Sequence, residues 1–150
     1  MNSGLQQESI RGKYSVTSYG ERFIEVNKVL IENSCIISTD SEPIPWQITN
    51  VDQLSRQVVK KLFENSPDVV LIGTGLNQIM LDKDILEFDQ SGENNPLALL
   101  NSTNSGMVVR ADCMSTPAAC RTFNLLVAEG RSVVAGLILE KFSKDENYAQ

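Results

Sequence analysis

Hydrophobic positions in the second half of the chain come in unbroken runs rather than in alternation. Val69-Val70-Leu71-Ile72 is one run, and Ser132-Val133-Val134-Ala135-Gly136-Leu137-Ile138-Leu139 is another. Strands that lack alternation are covered on both faces, as in a parallel sheet flanked by helices. Between the two runs, residues 107–112 predict a further strand, and a helix begins just after Thr116 and stops at Gly130. Thr116 is the expected N-cap, because its hydroxyl accepts from the amides freed at a helix start. Pro117 loses nothing at the first helical position. Over residues 117–129 the helix is apolar nearly all round, which predicts that it is largely buried. The order strand, loop, strand, helix, strand over residues 68–142 organises the chain. It places two loops with polar and glycine residues beside a buried sheet.

The first half reads differently. Short β-rich segments at 14–19, 22–26, 28–31 and 35–38 are separated by Gly20, Asn27 and Glu32-Asn33-Ser34, which predicts a small antiparallel meander. Residues 40–49, with Pro43, Pro45 and Trp46, form a loop whose one large apolar anchor packs over the edge of the core. Residues 51–64 carry apolar side chains at Val51, Leu54, Val58 and Leu62, with Val59 and Phe63 beside them. Those intervals of three and four predict one helix, capped by Asn50 or Asp52. Residues 80–106 are acidic and interrupted by Ser91-Gly92-Glu93-Asn94-Asn95-Pro96, with a short helix expected at 97–100. Their carboxylates lack the order of a calcium loop and read as a solvated surface. The chain is expected to form a single α/β domain over residues 13–142, with a flexible N-terminus at 1–12 and a flexible tail at 143–150.

Composition narrows the function. The chain has 150 residues, 41% hydrophobic and 21% charged, and a formal net charge of −6, so it has no general attraction for nucleic acid or anionic lipid. No apolar run approaches the roughly 20 residues needed to span a bilayer, and the first residues lack a signal-peptide pattern. Three cysteines without CxxC spacing fit reduced thiols better than a disulfide framework or a zinc site. The expected setting is cytoplasmic, with no nucleic-acid partner and no stable membrane insertion. Histidine is absent, which removes Ser-His-Asp and Cys-His arrangements and histidine metal ligands together. No catalytic residue, metal site or cofactor is assigned, and the balance leans away from an enzyme.

One crevice stands out as a candidate site. Gly73-Thr74-Gly75 follows the first buried strand, at the carboxyl end where ligands of open α/β sheets bind. Its two glycines let the backbone turn sharply and approach something closely. It lacks the spacing of a dinucleotide loop and the lysine of a phosphate-binding loop. Opposite it, the helix start brings Thr116, Cys120, Arg121 and Asn124. Arg121 and Asn124 share a face, and a partly buried guanidinium needs acceptors such as the carbonyls of the glycine loop or Asp112. Alternatively, Arg121, the helix amides and Cys120 meet a small anion. Cys120 then has a thiol made more acidic by the helix end and Arg121; otherwise it is an inert small packer. The candidate crevice is thus Gly73, Thr74, Gly75, Thr116, Cys120, Arg121 and Asn124.

The combination of Val70-Leu71-Ile72-Gly73-Thr74-Gly75, the run Met114-Ser115-Thr116-Pro117-Ala118-Ala119-Cys120-Arg121-Thr122-Phe123-Asn124-Leu125-Leu126-Val127-Ala128-Glu129-Gly130-Arg131 and Val133-Val134-Ala135-Gly136-Leu137 resembles the Mth-like domain family. Its members include uncharacterised bacterial and archaeal proteins, a mitochondrial respiratory complex I assembly factor and an adipogenesis-associated cytosolic protein. The resemblance implies a three-layer α/β fold with a mixed central sheet flanked by helices and an additional N-terminal antiparallel β portion. It also implies no established reaction, the best understood role being assembly of a respiratory complex through protein contacts. Ser115 stands where an acidic residue is expected, Asp112 where the family has glutamate, and residues 80–106 are longer than usual. These departures weaken a carboxylate mechanism at the crevice. The expected function is a non-enzymatic protein-interaction or assembly-factor-like module whose partner is another protein. The alternative is a small-molecule or anion-binding protein using the crevice.

Overall fold

The structure, a computed structural model, describes residues 14–89 and 108–141. Among these residues nine strands form two sheets: β1 (Val16–Tyr19), β2 (Ile24–Val26), β3 (Val29–Ile31), β4 (Cys35–Ser38), β5 (Ile44–Pro45), β6 (Val69–Gly73), β7 (Glu87–Asp89), β8 (Val108–Met114) and β9 (Val133–Leu137). The helices are α1 (Arg56–Lys60), α2 (Lys83–Leu86) and α3 (Thr116–Ala128), with 3-10 turns at Val51–Gln53 and Lys61–Phe63. The larger sheet has the order β5-β4-β9-β6-β8-β7, and the smaller has the order β1-β2-β3. β6 runs parallel to both β8 and β9, while β4–β5, β4–β9 and β7–β8 are antiparallel. The molecule is a mixed α/β fold with a separate antiparallel portion from residues 16–31.

β6 explains its own sequence. Val70, Leu71 and Ile72 are each no more than 1% exposed, and alternate residues feed two cores. Leu71 points into a core shared with Cys35, Ile37, Val133, Ala135, Leu137 and the α3 residues Ala119, Cys120 and Phe123. Val70 and Ile72 point the other way, to Leu54, Val59 and Leu62 and to Leu86, Phe88, Ala111 and Ile138. The large sheet therefore lies between α3 with the small sheet on one face, and α1, α2 and the 3-10 turns on the other. Complete burial of each such side chain contributes about 2 kcal/mol. Trp46 covers the second face so closely that a Cβ on Gly136 of β9 would lie 2.6 Å from its ring. It is the apolar anchor that residues 40–49 predict.

Five expectations are corrected. Residues 35–38 form a strand but leave the meander: β4 pairs with β9 in the large sheet, because a half-buried strand pattern does not specify its partner. Residues 51–64 are not one helix. The first turn ends at Leu54, whose ψ of 125° is extended, and Ser55 starts α1 by accepting from the Val58 amide. The apolar spacing survives the break, since Leu54, Val59 and Leu62 are all buried. Asn50 caps the first turn within a capping box completed by Gln53. The N-cap of α3 is Ser115 rather than Thr116, with its hydroxyl accepting from the Ala118 amide. Finally, α3 is buried only along Thr116, Ala119, Cys120 and Phe123, and Leu125 is 65% exposed. The buried positions recur at intervals of three and four and make one stripe against the sheet, with Leu126 and Val127 partly buried beside it. At its other end Gly130, at φ +83°, takes the left-handed position, and the Gly130 and Arg131 amides bond Val127 and Leu126 carbonyls. The strand ends also shift, to Val108–Met114 and Val133–Leu137. The expected helix at 97–100, most of the acidic stretch and both chain ends lie outside the described residues.

Candidate functional site

The crevice forms where the carboxyl ends of β6, β8 and β9 meet the start of α3. Gly73 ends β6 between Met114 of β8 and Leu137 of β9. The ladder continues one step on each side: the Thr74 amide donates to the Met114 carbonyl at 2.8 Å, and the Ile138 amide to the Gly73 carbonyl at 3.0 Å. Gly73 is dictated by space, since a Cβ there would sit 2.9 Å from the Thr116 Cα. The start of α3 packs directly on the end of β6.

Thr116 ties the two together. Its hydroxyl donates to the Ile138 carbonyl at 2.7 Å and accepts from the Gly75 amide at 2.9 Å, and its own amide donates to the Gly75 carbonyl at 2.7 Å. Both backbone groups of Gly75 are therefore held by one residue. Thr74, 2% exposed, folds the following loop onto itself: its hydroxyl donates to the Asn77 carbonyl at 2.6 Å and accepts from the Ile79 amide. The Leu76 amide donates to Glu140 Oε1 at 3.1 Å. Gly75, at φ +103°, has no room for a Cβ because that same carboxylate would be 2.8 Å away. Arg22, reaching from the small sheet's side, donates through Nη1 to the Glu140 carbonyl at 2.8 Å.

The donors an anion would need are thus already engaged. The amides of Thr74, Gly75 and Leu76 have partners; at the start of α3, Thr116 bonds Gly75, Pro117 has no N–H, and Ala118 bonds the Ser115 hydroxyl. A carboxylate of the chain itself, Glu140, lies against the glycine turn. Sequence reasoning missed Glu140 and Arg22. The signal for Glu140 is a lone carboxylate directly after the apolar run of β9, at the sheet end where the glycine loop also lies.

Of the seven candidate residues, Gly73, Thr74, Gly75 and Thr116 meet, and the other three turn away. Arg121 is exposed and donates to the Tyr19 hydroxyl at 3.0 Å, not to the glycine loop or Asp112. Asn124 holds the small sheet: its Oδ1 accepts from the Val16 amide at 2.8 Å, and its Nδ2 donates to the Val16 carbonyl at 2.7 Å. Cys120 is fully buried, and burial, with a smaller contribution from nearby Cys35, pushes its thiol up to about 12 despite Arg121. Burial likewise pushes Cys35 up to about 12 and Cys113 up to about 11. Packing, not acidification by the helix end, governs Cys120. Among the described residues no three His, Cys, Asp or Glu side chains converge as a metal site, and no helix is long and apolar enough to cross a membrane.

Outside the crevice, an open groove of about 520 Å³ lies beside β7 and β8, with Phe63, Phe88 and Val109 among its apolar lining and Lys60, Lys61 and Glu64 beside them. Phe63 and Phe88 rings meet at 5.2 Å, and Arg56 stacks over Phe88 at 4.6 Å.

Two outcomes follow. Thr116→Val leaves the Gly75 amide and the Ile138 carbonyl without the hydroxyl, and is expected to lower stability by about 1–3 kcal/mol in urea unfolding, with Thr116→Ser retaining most of it. The three thiols give a pH signature. Their native values lie above the ordinary 9.0, so unfolding at alkaline pH releases protons that the folded state keeps. Their stabilisation is complete below about 9 and is lost as pH rises toward 11 to 12. A Cys35→Ala/Cys113→Ala/Cys120→Ala variant is expected to show a shallower decline over that range in urea titrations at stepped pH.

Comparison with known proteins agrees with this architecture. Residues 16–138 match the family described as protein of unknown function (DUF498/DUF598). A protein of Francisella tularensis subsp. holarctica called 13 kDa major membrane protein is 25% identical over 134 residues, covering 86% of this chain and 94% of its own length. NADH dehydrogenase [ubiquinone] 1 alpha subcomplex assembly factor 3 of Bos taurus is 27% identical over 136 residues, covering 89% of this chain, which spans 65% of that protein's length. Among solved structures, a Mth938-like domain from Bordetella pertussis superposes with a TM-score of 0.60 at 23% identity, over 91% of this chain and 92% of that one. With the matched region running from the first strand to the end of the last, the chain belongs to the DUF498/DUF598 family and has the Mth938-like fold.

Proposed function

We propose that this chain is a non-enzymatic protein-interaction module of the assembly-factor kind, acting on a protein partner in the cytoplasm. The observation that carries the reading is the engagement of the crevice donors: Thr116, Ser115 and Glu140 take the amides that a bound anion would require. The raised thiol of Cys120 speaks against an activated nucleophile at the crevice, Arg121 turns outward to Tyr19, and Arg22 is engaged by the Glu140 carbonyl. The three free cysteines support a reducing compartment. The bovine relative's name, an assembly factor, supports the class of role. The apolar groove at Phe63, Phe88 and Val109 supplies surface for a partner outside the crevice, where an aliphatic or aromatic anchor of another protein displaces water from the rings.

Native mass spectrometry of the protein purified gently from its own cells tests this. The expected spectrum carries the chain with a protein partner and no stoichiometric small-molecule adduct, and Val109→Glu in the groove removes the partner. A small anion that co-purifies, and is lost in Thr116→Val, contradicts the reading and restores the crevice as a ligand site.

A further inference from the structure

The small sheet has two edges, and they are treated differently. At β1 the Val16 amide and carbonyl are both taken by the Asn124 side chain, which stands in for a neighbouring strand. At β3 there is no such cover among the described residues. The turn joining β2 to β3 has Asn27 at φ +48° and Lys28 at φ +73°, the two left-handed residues of a tight hairpin. That turn makes Val26 and Val29 a hydrogen-bonded pair, so the next pair, Glu25 and Leu30, is not hydrogen-bonded, and Ile24 with Ile31 is again. The Leu30 amide and carbonyl therefore point away from β2 into the open edge. The side chains there are apolar and uncovered: Val29 is 63% exposed and Leu30 56%.

We propose that two copies of this chain pair antiparallel through the outer edges of β3, joining their small sheets into one six-stranded sheet about a twofold axis at Leu30. Only the register centred on Leu30 lets the outward amide and carbonyl of one Leu30 exchange both bonds with the partner's Leu30 at the axis itself. In that register Val29 lies across from the partner's Ile31, so apolar residues meet on one face while the leucines meet on the other. The charges at the two ends select the same register. Lys28, exposed at the turn, comes beside the partner's Glu32, also exposed, and the twofold axis makes this attraction twice. A parallel alignment places lysine beside lysine and glutamate beside glutamate. An apolar edge strand left open is a ready template for pairing, and a second copy is the occupant whose charges match by symmetry. The groove beside β7 and β8 is on a different sheet, so self-pairing stands apart from the proposed partner contact.

Sedimentation velocity of the full chain over a concentration series tests the pairing. Wild type is expected to approach twice 16.6 kDa as concentration rises. Lys28→Glu alone and Glu32→Lys alone put like charges together and are expected to remain at the mass of one chain, while an equimolar mixture of these two variants restores the double mass. Both positions are exposed, so the substitutions leave the core unchanged. A wild type that stays at the mass of one chain overturns the proposal, as does a dimer indifferent to both single variants or a mixture that fails to pair.

Discussion

There is no room for a side chain at Gly73, and much of the structure depends on that. The Thr116 Cα occupies the space, so the start of α3 rests on the end of β6. This contact fixes where α3 crosses the sheet, and the Thr116 hydroxyl then joins two strand ends by bonding Ile138 of one and the turn after the other. Backbone groups at a strand end that open toward solvent usually bond water or a ligand. Here they bond one another and the side chains of Thr116 and Glu140, and the loop that resembles a binding loop in sequence is a closure of the fold.

That distinction was only partly legible in the sequence. The unbroken run of β6 announced a strand buried on both faces, and Thr116-Pro117 and Gly130 marked the ends of α3 within a residue. Partner choice was not legible: the pattern at Cys35 to Ser38 is equally compatible with the meander and with the large sheet, and only the antiparallel pairing with β9 decides it. Ser55 broke the expected helix because a serine after an apolar turn both ends and restarts helical structure, which apolar spacing does not register. Around the crevice, residue types pointed to the correct loop and helix start but not to orientation. Arg121 and Asn124 share a face of α3, and that face looks toward the small sheet, so one holds Tyr19 and the other Val16. Glu140 lies 64 residues along the chain from Leu76, so only its place directly after the apolar run of β9 marks it, and no spacing to the glycine loop does.

The same side chains thus link the two sheets. Asn124 acts as a surrogate strand at β1, Arg22 reaches from the small sheet to the Glu140 carbonyl, and Glu140 receives the Leu76 amide. Attachment of the small sheet and closure of the crevice are parts of one network.

The central claim is that the crevice amides belong to the fold. Amide hydrogen exchange of the native protein measures it residue by residue. Protection at Thr74, Gly75, Leu76 and Thr116 comparable to that at Leu71 and Ala135 in the sheet is the predicted result. Exchange at those four amides as fast as in an exposed loop would contradict it, and would return the crevice to the donors a ligand needs.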